Sequence, residues 1–158
     1  MSRISIIIPA RYKSSRFPGK PLVSIRGKEM IIHVVEKCQK VINKKNLFVA
    51  TDSEKIKEVV EKKNFNVIMT SSKCLTGTDR VAEASKKIKS NIFINVQGDE
   101  PLVSPKDIKK IIAAKKKYSD KVICGFSEIS KNESPFNRNI PKVVLNKFND
   151  LVYISRAA

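Results

Sequence analysis

Residues 4–22 read ISIIIPARYKSSRFPGKPL, a short apolar run followed at once by a loop of Gly, Pro and cationic side chains. The run from Ile4 to Pro9 is rich in β-branched residues and lacks the polar alternation of a half-exposed strand. It therefore predicts a strand buried on both faces. Because such strands occur in parallel sheets covered by helices, the stretch predicts an α/β fold with a charged loop after its first strand.

The rest of the chain alternates between apolar runs of strand length and segments of helical period. Further strands are predicted at residues 47–51, 65–70, 91–96, 122–126, 142–148 and 151–155. Helices are predicted over residues 30–42, after an N-cap at Ser53, around residues 81–88, and after Ser104-Pro105. Strand–helix alternation indicates βαβ units, and ligands of such sheets bind at the carboxyl ends of the strands.

We interpret the whole chain, residues 1–158, as one nucleotide-binding domain. It has no apolar stretch of membrane-spanning length and no signal-peptide pattern, so we expect a cytoplasmic protein without a membrane partner. The sequence stops directly after the last predicted strand, which suggests a domain whose sheet is incomplete. Cys38, Cys74 and Cys124 form no Cys-x-x-Cys or Cys/His pattern, so neither a disulfide framework nor a zinc site is indicated.

The formal net charge of +17 raises the hypothesis of a nucleic-acid-binding domain. Only seven of the 32 cationic residues are arginines, and the lysines are spread over helix-like segments such as residues 55–63 and 106–117. Aromatic residues make up 6% of the chain, too few for the interleaved stacking surface of a single-strand binder. Solvated lysine-rich helix faces are therefore the favoured interpretation, and nucleic-acid binding remains the alternative from a different functional class.

The loop after the first strand carries the cations Arg11, Lys13, Arg16 and Lys20 together with Gly19. Guanidinium groups bind phosphate oxygens in pairs, lysine adds a movable point charge, and glycine lets the backbone approach a ligand. The loop matches neither the Walker pattern nor Gly-x-Gly-x-x-Gly. It predicts a triphosphate-binding loop, with an ordinary basic loop as the alternative.

The stretch NVQGDEP at residues 95–101 also follows a predicted strand. Asp99 would project from the carboxyl edge of the sheet, where one or two carboxylates commonly hold Mg²⁺ against nucleotide phosphates. A simple Gly-containing turn is the alternative for this stretch taken alone.

The stretch TGTDR at residues 76–80 is a small-residue turn that enters a helix. Its hydroxyl and backbone groups could hydrogen-bond a base or a phosphate, whereas the simpler interpretation makes Thr76 or Thr78 the helix N-cap. His33 lies in an apolar helical run and is interpreted as structural. Asp52 ends a strand and could contact a ligand or cap the next helix, so its role stays open.

Taken in order, these stretches resemble the 3-deoxy-manno-octulosonate (Kdo) cytidylyltransferase family, the CMP-Kdo synthetases of lipopolysaccharide and capsule synthesis. The resemblance rests on residues 8–22, on VATD at 49–52, on 76–80 and on 95–101, and residues 142–144 and 155–157 also fit. The sialic-acid cytidylyltransferases share the architecture, but they usually carry a shorter Arg-x-Gly-Ser-Lys loop that this sequence lacks.

The resemblance implies a Rossmann-like three-layer α/β/α nucleotidyltransferase fold and transfer of CMP from CTP to the anomeric hydroxyl of Kdo, with release of pyrophosphate. Arg11, Lys20 and Asp99 would form the catalytic set, with Asp99 as the ligand of Mg²⁺. Nucleotide binding would involve Arg11, Ser14, Ser15, Arg16, Lys20, Thr78 and Arg80. Gln97 and Arg156 would face the sugar.

Members of this family are longer, and their last third supplies a second metal carboxylate, further sugar-binding residues and much of the homodimer contact. The resemblance therefore implies that the 158 residues bind CTP weakly and turn over poorly or not at all. Transfer to another acidic sugar, such as a sialic acid, remains the alternative within the enzyme class.

Overall fold

A computed structural model describes residues 3–13 and 17–157 of the chain. These residues form two compact units, of which the first ends at Ile123 and the second begins at Cys124. The strands of the described residues are β1 (Ile4–Ala10), β2 (Ser24–Ile25), β3 (Lys28–Glu29), β4 (Leu47–Thr51), β5 (Asn66–Met69), β6 (Ile92–Asn95), β7 (Lys142–Leu145) and β8 (Leu151–Ser155). Their α-helices are α1 (Met30–Gln39), α2 (Glu54–Lys62), α3 (Gly77–Ser85) and α4 (Pro105–Lys117).

The first unit is built on a parallel sheet with the strand order β5-β4-β1-β6. β1 lies in the interior of this sheet, with Ile6 opposite Leu47 of β4 and Ile4 opposite Ile92 of β6. From Ser5 to Ala10 every residue of β1 is buried. The continuous apolar run thus predicted this strand correctly, because a strand paired on both edges and covered on both faces has no polar side.

Helices cover both faces of the sheet. Successive side chains of β1 point to opposite faces. Ile6 and Ile8 belong to the larger core, which also contains buried residues of α1, α2 and α4, and Ile7 belongs to a smaller cluster with Ala84 of α3. The predicted three-layer α/β/α arrangement is therefore confirmed.

The strand order places a topological switch point between β1 and β6. From β1 the chain proceeds through β4 to β5 on one side, and it then crosses to β6 on the other side. In doubly wound sheets ligands bind beyond the carboxyl ends of the strands at such a point.

Several element boundaries follow the predicted caps. Ser53 and Ser104 are the N-caps of α2 and α4, as predicted. α3 begins at Gly77, ahead of the predicted Val81, because Thr76 and Asp79 form a capping box at its start. β2 and β3 pair as a small antiparallel hairpin that the sequence did not indicate.

The prediction of a strand at residues 122–126 is wrong. The structure assigns no strand to these residues, and Val122 and Phe126 are exposed. Their apolar character matched a strand, but a strand also needs a neighbour to accept its backbone hydrogen bonds. In the second unit β7 and β8 pair as an antiparallel hairpin, with the register shifting between Val144 and Leu145.

No helix within residues 3–13 and 17–157 combines the length and the apolar character needed to cross a membrane. Cys38 lies in the larger core, and its burial raises the pKa of the thiol to about 12. Cys74 is partly buried and Cys124 is exposed.

Candidate functional site

The loop after β1 closes on itself between Tyr12 and Gly19. The Gly19 amide donates to the carbonyl oxygen of Tyr12 at 2.8 Å. Gly19 adopts φ +72°, a backbone conformation that favours glycine, and a Cβ there would only touch the Tyr12 ring at 3.4 Å. Lys55 of α2 places its Nζ 5.1 Å from the centre of the same ring. Ser14, Ser15 and Arg16, predicted to line this loop, lie outside the described residues.

Lys20 and Asp99 meet at the switch point of the sheet. Lys20 follows β1 and begins a short 3-10 turn, whereas Asp99 follows β6. The Lys20 Nζ lies 2.7 Å from the Asp99 Oδ2, and the side chains are 39% and 48% exposed. The two loops that the sequence predicted for phosphate and for metal are therefore joined by an ion pair that remains open to solvent.

Gly98 sets how closely the Asp99 loop approaches β1. A Cβ at Gly98 would lie 2.7 Å from the carbonyl oxygen of Pro9 and 3.1 Å from the Ile31 Cδ1. The first distance is too short for real atoms, and the contacted oxygen belongs to the backbone of a buried strand. Glycine at this position therefore lets the loop that carries Asp99 lie against the end of β1.

Gln97 lies between β1 and the start of α3. Its Nε2 donates to the Asn95 Oδ1 at 3.1 Å, and a Cβ at Gly77 would lie 3.2 Å from its Oε1. The same added Cβ would be 3.4 Å from the Pro9 side chain. The helix N-terminus predicted to bind a ligand thus packs next to the residue predicted to face the sugar.

Thr76 caps α3, which decides between the two cap candidates in the sequence. Its Oγ1 accepts from the Asp79 amide at 3.1 Å, while its own amide donates to the Asp79 Oδ2 at 2.8 Å. Hydrogen bonds from the Thr76 side chain and backbone lower the pKa of Asp79 below its usual range. Thr78 is left exposed in the first turn of α3, where its hydroxyl can meet a ligand.

Two sets of contacts hold the loop that precedes α3. The Arg11 Nη1 donates to the carbonyl oxygen of Leu75 at 2.7 Å, which ties this loop to the loop after β1. The Ser71 amide and the Cys74 Sγ both donate to the carboxylate of Glu83 on α3, at 2.9 Å and 3.1 Å. These bonds lower the pKa of Glu83, with the Cys74 bond as the largest cause.

Arg80 is fully buried, although the sequence predicted it near the nucleotide. Its Nη2 lies 3.3 Å from the Asp52 Oδ2, and its Nη1 donates to the Thr70 hydroxyl. Asp52 and Thr70 follow β4 and β5, so Arg80 ties α3 to the ends of two strands. Because its guanidinium has no exposed surface, Arg80 supports the ends of these strands from the protein interior. Asp52, whose role the sequence left open, is its partner.

His33 and Arg156 hold backbone carbonyls. The His33 Nε2 donates to the Ile25 carbonyl oxygen at 2.9 Å, which fixes the β2–β3 hairpin to α1. Arg156 belongs to the second unit, where its Nη1 donates to the carbonyl oxygen of Asn139 at 2.9 Å. A role of Arg156 toward a sugar stays a prediction.

Asp99 lies against Lys20 at the switch point, and its role as a metal ligand stays a prediction. No group of three or more His, Cys, Asp or Glu side chains in the described part of the chain is arranged to hold a metal. A single carboxylate suits an ion that takes its remaining ligands from phosphate oxygens and water, which is the common way of binding Mg²⁺.

A family model described as cytidylyltransferase matches residues 5–158 of the chain. The 3-deoxy-manno-octulosonate cytidylyltransferase of Thermodesulfovibrio yellowstonii is 42% identical over 159 residues, covering 96% of this chain and 62% of that protein. The 8-amino-3,8-dideoxy-manno-octulosonate cytidylyltransferase of Shewanella baltica strain OS185 is 38% identical over 160 residues, covering 98% of this chain and 65% of that protein.

A solved structure of a CMP:2-keto-3-deoxy-manno-octonic acid synthetase complexed with CTP superposes with a TM-score of 0.86 at 36% identity. The superposition covers 99% of this chain and 65% of that chain, and it confirms the predicted nucleotidyltransferase fold. The chain thus spans between 62% and 65% of the length of these relatives. With the family model matched from Ser5 to the last residue, the chain belongs to the cytidylyltransferase family.

Proposed function

We propose that the chain contains the nucleotide-binding site of an enzyme that transfers CMP from CTP to Kdo. The observation that carries the proposal is the contact between Lys20 and Asp99 at the switch point of the sheet. It brings a phosphate-binding type of cation and a metal-binding type of carboxylate to the place where such folds bind ligands. Family membership and a relative described as complexed with CTP support the choice of nucleotide.

In this proposal the CTP phosphates bind along the loop after β1. Arg11 and Lys20 provide cationic groups at the exposed edge of the sheet. Ser14, Ser15 and Arg16, which lie between them in the sequence, are proposed as further phosphate partners. Transfer of a nucleotidyl group depends chiefly on positioning and on neutralising charge that develops on phosphate oxygens. The positive charge of Arg11 and Lys20 serves that purpose.

The reaction is a displacement at the α-phosphorus of CTP. The anomeric hydroxyl oxygen of the sugar forms a bond to this phosphorus, and the bond from phosphorus to the bridging α–β oxygen breaks. The bridging oxygen keeps the electron pair and leaves as part of pyrophosphate, while the hydroxyl proton passes to solvent. Mg²⁺ held by Asp99 would supply positive charge against the phosphate oxygens.

Other residues have positioning or recognition roles in the proposal. Thr78 is exposed in the first turn of α3 and faces the nucleotide, and Gln97 faces the sugar. Arg80 acts through the residues it holds, because its side chain is fully buried. A contact of Arg156 with the sugar carboxylate stays a prediction from the family resemblance.

A second acceptor is supported by the relatives. One of them is described as acting on 8-amino-3,8-dideoxy-manno-octulosonate, which carries an amine at C8 where Kdo carries a hydroxyl. The two sugars share the carboxylate and the anomeric hydroxyl, so the chemistry at phosphorus is the same. The choice between them is a choice of acceptor within one reaction class.

Nucleotide binding is tested by thermal unfolding of the 158-residue chain with CTP, UTP, ATP or GTP, each with and without Mg²⁺. We expect CTP with Mg²⁺ to raise the melting temperature most, and Lys20→Met to remove the effect. Lys28→Met is the matched control, because Lys28 pairs with Glu36 at the same 2.7 Å and similar exposure in another part of the unit. The nucleic-acid-binding alternative would be favoured if the chain were retained on DNA regardless of CTP and Mg²⁺ and no nucleotide changed its melting temperature.

The acceptor is tested by measuring pyrophosphate release from CTP with Kdo, its 8-amino analogue and N-acetylneuraminate. The Thermodesulfovibrio yellowstonii relative serves as the positive control in the same assay. Because the chain spans 62% of that relative, we expect release far slower than the relative's, with one of the two octulosonates, and Asp99→Asn to abolish it. Release with N-acetylneuraminate alone would reject Kdo as the acceptor and retain the reaction class.

A further inference from the structure

We propose that Lys20 occupies the metal's place on Asp99 until a nucleotide draws it away, so that CTP binding creates the metal site. The inference rests on the proposed function and deepens it, because it assigns a fixed relation between the two ligands. In the nucleotide-free protein the Lys20 ammonium group blocks Asp99. The nucleotide, which binds together with the metal, also draws Lys20 away.

The contact geometry supports this exchange. The Lys20 Nζ is 2.7 Å from the Asp99 Oδ2, the distance of a charge-assisted hydrogen bond, so it occupies the carboxylate where a cation would bind. An ammonium ion and a divalent cation repel each other at such distances. Metal binding at Asp99 therefore requires that Lys20 move.

The side chains around Asp99 bear on the competition between Lys20 and a metal ion. Within residues 3–13 and 17–157 no group of three or more His, Cys, Asp or Glu side chains is arranged to hold a metal ion. Asp99, the carboxylate proposed to hold the metal, thus already has a cationic partner in the nucleotide-free protein.

The ion pair is also easy to exchange. Its side chains are 39% and 48% exposed, so water and salt weaken the attraction between them. Lys20 has a flexible stem, and the oxygens of a triphosphate offer its ammonium group several strong acceptors. When Lys20 moves to the phosphates, Asp99 and those phosphates become available together as ligands of one metal ion.

The consequence is positive coupling between nucleotide and metal. A group that blocks one ligand and is removed by the other raises the affinity of each in the presence of the other, and the effect is reciprocal. Lys20 would thus have two roles in succession, first as the partner of Asp99 and then as a partner of the phosphates.

The first test measures Mn²⁺ binding to the nucleotide-free 158-residue chain by the loss of the free Mn²⁺ signal in electron paramagnetic resonance. We expect Lys20→Met to bind Mn²⁺ about three- to five-fold more tightly than the wild type, as for release of an exposed ion pair. The double variant Lys20→Met/Asp99→Asn should lose this gain. Melting temperatures of all variants check that each is folded.

Two controls separate direct competition from a general change of charge. Lys28→Met breaks an ion pair of the same length and similar exposure, and Arg11→Met removes a cation of the same loop whose Nη1 contacts Leu75. Both should leave Mn²⁺ affinity within two-fold of the wild type. An equal gain in Arg11→Met and Lys20→Met, or no gain in Lys20→Met, would overturn the inference.

The second test is a double-mutant cycle on CTP binding with metal removed by a chelator. If Lys20 exchanges partners, Asp99→Asn releases Lys20 and so strengthens CTP binding in the absence of metal. This gain in CTP affinity should be about three-fold larger when Lys20 is present than when it is replaced by Met. Equal effects in both backgrounds would reject the exchange. If the wild-type chain bound no CTP at all, the proposed function would be rejected. The Mn²⁺ measurement without nucleotide would still decide whether Lys20 blocks Asp99.

Discussion

Two ion pairs lie near the carboxyl edge of the sheet, and they differ in how much water reaches them. Lys20 and Asp99 are 39% and 48% exposed, whereas Arg80 is fully buried and Asp52 is 16% exposed. The solvated pair can exchange partners at little cost, which suits a place where ligands bind. The buried pair cannot exchange partners in this way, because separating Arg80 from Asp52 would leave a buried charge without water. A buried pair therefore suits a fixed support of the fold.

The buried pair is also the less completely satisfied of the two. Among the described residues, the Arg80 Nε and Nη2 have no aligned hydrogen-bond acceptor, although Asp52 lies 3.3 Å from Nη2. Asp52 thus neutralises the guanidinium mainly through its charge. Because Asp52 is the carboxylate in ion-pair contact with the buried Arg80, with Glu83 adding only a weaker attraction, the fold depends on Asp52 far more than the open edge depends on Asp99.

The largest effect is expected for Asp52→Asn. The substitution keeps the shape of the side chain and removes the charge that offsets Arg80, so the free energy of unfolding should fall by about 3 kcal/mol. Urea unfolding followed by circular dichroism measures the change. A loss comparable to that of a surface substitution would mean that Arg80 finds compensation elsewhere.

Gly98→Ala is expected to have the next largest effect. The added methyl group meets the Pro9 carbonyl oxygen at 2.7 Å, and overpacking of this kind costs about 2 kcal/mol. The displaced loop also carries Asp99, so the stabilisation by CTP with Mg²⁺ should be lost as well. Gly77→Ala is the control, since its methyl group meets the end of the flexible Gln97 side chain at 3.2 Å and should be tolerated better.

Thr76→Ala removes the N-cap of α3 and should lower the free energy of unfolding by about 1 kcal/mol near neutral pH. Hydrogen bonds from Thr76 lower the pKa of Asp79, so part of this stabilisation is present above the ordinary carboxyl pKa and is lost as the pH falls through the lowered value. The difference between variant and wild type should therefore shrink in acid. Unfolding curves at neutral and acidic pH would show a constant difference if Asp79 did not contribute.

Local sequence signals predicted helices and strands well where their boundaries depend on nearby residues. β4 begins and ends at the predicted residues, and Ser53 and Ser104 stand at the N-cap positions of their helices as expected, although neither side chain makes a capping hydrogen bond. These features depend on neighbours a few residues away, namely a bounded β-branched run or a polar cap. The strand predicted at residues 122–126 failed because pairing depends on a second strand, which the run itself does not specify.

The site was predictable as a place and less so as a set of contacts. The rule that ligands bind beyond the carboxyl ends of strands placed the loops of Lys20 and Asp99 on one edge, although 79 positions separate the two residues. Their direct contact, and the burial of Arg80 against Asp52, depend on how α3 and two loops pack together. Asp52 and Arg80 each carried an ordinary polar signal, and nothing in their spacing indicated that they form a pair.

Asp99→Asn is the same chemical change as Asp52→Asn, made in the solvated pair, and it is expected to have the smallest effect on folding. Since water reaches both side chains, losing the attraction to Lys20 should change the free energy of unfolding by less than about 1 kcal/mol. Urea unfolding in low and in high salt measures this change, and salt should reduce it further by screening. The same variant should lose the added stabilisation that Mg²⁺ gives in the presence of CTP. Equal destabilisation by the two Asp→Asn substitutions would contradict the distinction between a fixed support and an exchangeable site. A small loss at Asp99 with a large loss at Asp52 would show that exposure separates the two roles.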